Sequence, residues 1–217
     1  MHLTVLDNEL WFPPVSEALP DGLLAAGGDL SPKRLLLAYR NGIFPWYNEG
    51  EPPLWWCPDP RFVLYPSELR ISKSMKQLLR KGQLTFRTNT SFDAVIRTCM
   101  AIERPDQDGT WITEDVVNAY SLLHHMGYAH SAEAWLGDEL VGGLYGVWLG
   151  NVFFGESMFS RVSNASKFAF INWVQLLQQQ GVQLIDCQVH TAHLESLGAR
   201  MIPRTEFCSL LHKYILS

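Results

Sequence analysis

The sequence predicts an α+β fold, a mixed sheet flanked by helices and preceded by a small N-terminal domain. Three stretches carry that reading. Residues 139–149 and 152–158 are rich in aromatic and β-branched residues and meet at Gly150-Asn151, the pattern of a β-hairpin. A long helix follows, opened by Ser163 or Asn164 and ended by Gly181, with Phe170, Trp173, Val174 and Leu177 on its apolar face. Residues 184–188, Leu-Ile-Asp-Cys-Gln, then read as a buried strand. At 217 residues and 47% hydrophobic, the chain suits one domain with an appendage or two small domains, and is too apolar to be disordered. The boundary is set at residue 61: a Pro/Gly/Trp-rich unit over 1–61 and the main domain over 62–217.

In chain order, Ser31-Pro32 starts a helix through Tyr39, with serine as N-cap and proline in the first turn, and Asn41-Gly42 ends it. Residues 43–47 and 54–61 carry prolines that forbid a continuous helix. Their Trp55 and Trp56 read as a small core, whereas Trp46, beside Pro45, offers a flat indole face to a nucleic-acid base. Ser72–Lys81 has helical periodicity, with Met75, Leu78 and Leu79 on one face and Lys73, Lys76 and Arg80 on the other. Ser91 caps a helix with an apolar stripe of Phe92, Val95, Ile96, Cys99 and Met100. After a loop over 104–110, Thr113 caps a helix with Glu114 and Asp115 in its first turn, ended by Gly127. Strands over 131–136, 139–149 and 152–158 precede the long helix and the strand at 183–188. A short helix near 193–197 and a last helix over 206–215, capped by Thr205, complete the chain.

Three antiparallel strands, a long helix, a strand and a helix is the order of a GNAT-like acyltransferase. Acetyl-CoA enzymes of that fold open the long helix with a glycine-rich loop whose N–H groups bind pyrophosphate. Residues 160–167 here contain no glycine, which argues against a CoA-dependent N-acyltransferase, the first alternative. The sequence Gly155-Glu156-Ser157-Met158-Phe159 lacks the second glycine of a serine-hydrolase elbow.

Net charge is −5, so nucleic-acid binding requires a local basic patch. Residues 70–87 supply one: Arg70, Lys73, Lys76, Arg80, Lys81 and Arg87, with no acid among them. A non-catalytic RNA-binding module using this patch and Trp46 is the second alternative. No apolar run is long enough to cross a bilayer, and the N-terminus is unlike a signal peptide, so the expectation is a cytoplasmic protein. Cys57, Cys99, Cys187 and Cys208 form no C-x-x-C pair; buried thiols are expected, with no disulfide framework, metal or cofactor. His124, His125, His190 and His193 read as surface or cap residues.

The chemistry concentrates in two places. Gly142, Gly143, Gly146 and Gly155 strip side chains from the hairpin, so a ligand or another backbone comes close. Glu156 sits among Phe153, Phe154, Met158 and Phe159, where a carboxylate needs a cavity, a cation or hydrogen-bond donors. In the strand 184–188, the spacing of Asp186 and Gln188 puts both side chains on one face. Were the two strands neighbours, two acids and an amide would converge on a glycine-opened sheet.

The segments Gly-Gly-Asp-Leu-Ser-Pro (27–32), Gly-Ile-Phe-Pro-Trp (42–46), Leu-Trp-Trp-Cys-Pro-Asp-Pro-Arg (54–61), Gly-Thr-Trp-Ile-Thr (109–113), Phe-Gly-Glu-Ser-Met-Phe-Ser-Arg (154–161) and Leu-Ile-Asp-Cys-Gln (184–188) together resemble the leucyl/phenylalanyl-tRNA–protein transferase family. The resemblance spans nearly the whole chain, in order. It implies a bacterial, cytoplasmic, monomeric enzyme that moves Leu or Phe, and less well Met, from aminoacyl-tRNA (Leu-tRNA or Phe-tRNA) to proteins with N-terminal Arg or Lys, marking them for degradation. It assigns Asp186 and Gln188 to catalysis, with Asp186 polarising Gln188, which draws a proton from the acceptor amine. Glu156 would bind the acceptor, and Trp46 and Trp111 the terminal adenosine. Leu144, Phe153, Gly155, Met158 and Ile185 would form the aminoacyl pocket, with Leu144 standing where methionine is expected. The basic helix with Lys73, Lys76, Arg80 and Lys81 would take tRNA phosphates.

Overall fold

The computed structural model describes residues 3–102 and 112–215. Its elements are β1 (Thr4–Leu6), β2 (Leu23–Gly27), α1 (Pro32–Arg40), β3 (Phe44–Pro45), β4 (Leu54–Trp56), β5 (Arg61–Leu64), α2 (Lys73–Lys81), β6 (Thr85–Thr88), α3 (Phe92–Ala101), α4 (Glu114–His125), β7 (Ala129–Leu136), β8 (Glu139–Leu149), β9 (Val152–Ser160), α5 (Ala165–Gln179), β10 (Leu184–Gln188), α6 (Ala192–Glu195), β11 (Arg200–Ile202) and α7 (Arg204–Ile215). The strands form a four-stranded sheet, β1-β2-β4-β3, and a seven-stranded sheet, β11-β5-β10-β9-β8-β7-β6. Within the large sheet, β7, β8 and β9 form the antiparallel meander, α5 crosses over, and β10 returns parallel to β9. This is the α+β, acyltransferase-like order expected from the sequence. The short strands β1, β2, β5, β6 and β11 were not anticipated.

Helices cover both faces of the large sheet. One apolar layer joins α1, α3, α4 and α7 to the sheet and continues into the small sheet through Leu24, Ala25 and Trp55. The other joins α2, α5 and α6 to the opposite face. Local signals set several helix starts: Ser31, Ser72 and Thr113 each accept an N–H from three residues on. Others are set by distant partners. The Ser91 side chain makes no cap bond; its N–H donates to Glu133, whose buried carboxylate also accepts from Thr90, Ser131 and Trp135. A side-chain cap contributes about 1 kcal/mol, whereas each buried Val, Ile or Phe on α3 contributes about 1.5–3, so the stripe holds the helix. At α5 the Asn164 side chain caps nothing, and Ser160 Oγ accepts the Ser166 N–H instead at 3.1 Å. The last helix begins at Arg204, before the expected Thr205 cap, because Asp59 accepts the Arg204 N–H at 3.0 Å.

Two glycines are explained by backbone proximity. A Cβ on Gly142 would lie 2.6 Å from Ala165 Cβ, where the first turn of α5 rests on β8. One on Gly146 would lie 2.1 Å from the Phe154 carbonyl oxygen, beside a register shift that makes Glu156 the extra residue of β9. That bulge turns Glu156 out of the ladder.

Candidate active site

A cavity of about 560 Å³ opens where β9 and β10 meet the edge of the small sheet. Leu144, Gly155, Met158, Phe159, Phe170 and Ile185 give it an apolar wall; Glu156, Asp186 and Gln188 give it a polar one; Trp46 stands at its rim. The structure therefore brings the two acids and the amide together. It does so by a second bulge, not by simple alternation. The register shifts between Asp186 and Gln188, and Gln188 adopts φ 62°, a left-handed conformation costly for a non-glycine residue. Its N–H folds back to Asp186 Oδ1 at 2.9 Å, and its side-chain Nε2 donates to Glu156 Oε1 at 2.9 Å.

Three further residues hold this polar wall, and the sequence reading gave them no part in it. Arg61, the first residue of β5, forms a fork with Asp186: Nε donates to Oδ1 at 2.8 Å and Nη2 to Oδ2 at 2.7 Å. Both side chains are fully buried, and the guanidinium lies between the rings of Phe44 and Phe207, at 4.7 and 4.6 Å. The Asp186 charge is thus matched by Arg61, and its oxygens are engaged by Arg61 and the Gln188 N–H. Tyr39 of α1 and Tyr120 of α4, both buried, place their hydroxyls 2.8 Å from Glu156 Oε1 and 3.2 Å from Oε2, and the two hydroxyls lie in hydrogen-bond contact with each other. An arginine opening the apolar run Arg-Phe-Val-Leu, and tyrosines on the inner faces of two helices, were the signals available. Only the fold aims them at one point.

Burial pushes the Glu156 carboxyl up to about 7; the Asp186 charge adds to the rise, and the hydrogen bonds from Tyr39, Tyr120 and Gln188 oppose it. Burial likewise drives both tyrosine hydroxyls well above their ordinary range, so they stay protonated. A carboxyl raised from 4.5 to about 7 holds its proton more tightly in the folded state than in the unfolded one. Folding stability from this group is therefore greatest below the unfolded value and is lost as the pH rises through the folded one. The Glu156→Gln variant should lack that loss. Denaturant melts should show it gaining on the parent by about 1–2 kcal/mol between pH 5 and pH 8, allowing for partial exposure. Parallel stability curves for the two proteins would contradict the assignment.

The remaining expected residues are placed as follows. Phe153 differs from expectation: it does not line the cavity. It lies before the β9 bulge in the layer under α5, fully buried and edge-on to Trp173 at 5.3 Å. Trp46 is 38% exposed at the cavity rim and is braced by Trp56, whose Nε1 donates to the Trp46 carbonyl at 2.7 Å. Trp111 lies outside the described residues. Lys73, Lys76, Arg80 and Lys81 are all exposed on α2, while Met75 is buried beneath them. Cys57, Cys99 and Cys187 are buried thiols outside any disulfide, and Cys208 is half-buried. Among the described residues no helix is long and apolar enough to cross a membrane.

A family model described as leucyl/phenylalanyl-tRNA protein transferase matches residues 63–212, and a model of the N-terminal domain of that transferase matches residues 28–59. The leucyl/phenylalanyl-tRNA--protein transferase of Syntrophus aciditrophicus is 59% identical over 213 residues, spanning 98% of this chain and 89% of its own. That of Nitrosospira multiformis is 58% identical, spanning 97% and 91%. That of Flavobacterium johnsoniae is 56% identical, spanning 95% and 97%. Among solved structures, L-PGS from Bacillus licheniformis aligns with a TM-score of 0.44 at 11% identity, over 77% of this chain and 53% of its own. A GCN5-related N-acetyltransferase from Kribbella flavida aligns with a TM-score of 0.40 at 9% identity, over 80% and 61%. Matched by the family models over both parts of its length, and more than half identical to named members from end to end of the alignment, the chain belongs to the leucyl/phenylalanyl-tRNA protein transferase family.

Proposed function

We propose that this enzyme transfers a leucyl or phenylalanyl group, and less well a methionyl group, from aminoacyl-tRNA to the α-amino group of proteins with N-terminal Arg or Lys. It acts as a cytoplasmic monomer, and the product is a degradation-tagged protein. The observation that carries the reading is one cavity with an aliphatic wall on one side and a hydrogen-bonded acid–amide–acid wall on the other.

In this reading the amino-acid side chain lies against Leu144, Gly155, Met158 and Ile185. A hydrophobic pocket separates ligands by only about 1–3 kcal/mol per methylene, which fits a loose choice among Leu, Phe and Met. The terminal adenosine stacks on Trp46, Trp111 being the second adenosine residue that the family resemblance implies, and the tRNA phosphates meet Lys73, Lys76, Arg80 and Lys81. Gln188 gives its Nε2 hydrogen to Glu156, so its amide oxygen is left to accept an N–H of the incoming amine. An amide is a very weak base, so Gln188 orients the amine, and Asp186 fixes Gln188 through its backbone. Glu156, which has no cation within ion-pair distance among the described residues, attracts the acceptor's positive end. The ester is already activated, and roughly a tenth of α-amino groups are neutral at pH 7, so orientation supplies much of the acceleration.

The test mixes purified protein with charged Phe-tRNA and a peptide beginning with Arg, in parallel with one beginning with Ala. Transfer to the Arg peptide alone is expected. No transfer to either removes the reading, and equal transfer to both removes the acceptor rule. Binding that ignores whether the tRNA is charged, without transfer, would leave a tRNA-binding module.

A further inference from the structure

The oxygens of Tyr39, Tyr120 and Glu156 form a closed triangle. Tyr39 contacts Tyr120, Tyr39 contacts Glu156 Oε1, and Tyr120 contacts Glu156 Oε2. Each contact needs one hydrogen. With Glu156 ionised, the two hydroxyls supply two, and one contact sets lone pairs against each other. With Glu156 protonated, every edge is filled: Oε2–H donates to Tyr120, Tyr120 to Tyr39, and Tyr39 to Oε1, which also accepts from Gln188. The ring lacks one proton, and only Glu156 of its three members lines the cavity.

We propose that this ring is a one-proton receptacle that takes the proton shed by the acceptor's α-ammonium group, with Glu156 touching the acceptor and the buried Tyr39 and Tyr120 as its positioning residues. The proposal rests on the transfer reaction above. An ammonium cannot attack an ester; it must first become an amine. One N–H bond of the ammonium breaks and an O–H bond forms on Glu156. The amine nitrogen then bonds to the ester carbon as the bond to the ribose oxygen breaks, and the second proton passes from nitrogen to that oxygen. Glu156 returns its proton to water, restoring the carboxylate. A carboxyl held at about 7 is well matched to an α-amino group, which titrates near 8.

The groups facing Glu156 among the described residues allow this. Tyr39 comes from α1, Tyr120 from α4, and Tyr145 from β8 lies with its ring 5.6 Å from that of Tyr120. From β10, Gln188 donates to Glu156, and Asp186 has its charge matched by Arg61 of β5. No basic side chain among them competes for the proton.

The experiment uses the full chain labelled with glutamate carrying ¹³C at the side-chain carboxyl, the Glu156 resonance being assigned by its absence in Glu156→Gln. The expected midpoint is about 7 in the parent. It should fall in Tyr39→Phe and in Tyr120→Phe, because opening the ring removes the facing lone pairs that penalise the ionised carboxylate; a rise would mean that the two hydroxyls act only as donors to the charged form, and would overturn the ring. In kcat/KM, which reports the free enzyme, the acid limb should move in the same direction as the midpoint. A Glu156 midpoint at the ordinary carboxylate value would overturn the proposal. So would a shifted midpoint with an unmoved kcat/KM limb, which is the result a merely structural ring gives. Absence of transfer by the parent protein is a separate result, against the function and not against the ring's titration.

Discussion

Arg61→Ala should destabilise the protein by about 3–5 kcal/mol, because it leaves the Asp186 carboxylate fully buried without its cation. The strand Arg61–Leu64 pairs with β10 on one side and β11 on the other, so water cannot readily reach the orphaned charge. Asp186→Ala should cost a similar amount by stranding the guanidinium between Phe44 and Phe207. Replacing both at once, Arg61→Met with Asp186→Leu, removes both charges and should recover most of the loss. The recovery should not extend to transfer, since the Gln188 N–H loses its acceptor. Denaturant melts of Arg61→Met, Asp186→Leu and the two combined form a double-mutant cycle. Additive losses would mean that the ion pair is not the coupled unit described here.

Gln188→Ala should lower kcat by about 10²–10³-fold while changing the affinity for aminoacyl-tRNA by less than about twofold. The amide is held at three points: a left-handed backbone, an N–H on Asp186 and an Nε2 on Glu156. In the proposed reading this firmly held group stands beside the reacting amine and acts through orientation, where misplacement by about 1 Å can cost 10²-fold. Alanine keeps the backbone hydrogen bond and deletes only the amide, so the fold should survive. Single-turnover transfer gives the rate, and titration with a non-hydrolysable charged tRNA gives the affinity. Weakened binding with an unchanged rate would recast Gln188 as a donor-binding residue.

Much of this architecture was legible before the fold was known, and the reasons differ by element. The hairpin of β8 and β9 announces itself by composition, and Ser31, Ser72 and Thr113 mark helix starts because a cap is a contact three residues long. What failed to read was non-local. Ser91 resembles a cap, yet Glu133, 42 residues away, takes its N–H. Thr205 resembles another, yet Asp59 ends the ladder from across the chain. The same holds at the site. Glu156 stood out as a carboxylate in greasy surroundings, but Tyr39 lies 117 residues before it and Arg61 lies 125 before Asp186. Phe153 was also misplaced. The resemblance assigned it to the pocket, whereas in the structure it lies before the bulge at Glu156, packed under α5 against Trp173.

The two walls of the cavity differ in how they are built. The polar wall is interlocked, with Tyr39, Arg61, Tyr120, Glu156, Asp186 and Gln188 each bonded to another member of the set. The apolar wall is a set of independent aliphatic surfaces, Leu144, Met158 and Ile185 among them, that touch by packing alone. Mutation can therefore resculpt the second without disturbing the first. On the proposed reading, in which the apolar wall takes the transferred side chain, such an enzyme is free to drift in the amino acid it prefers while its bond-making chemistry stays put.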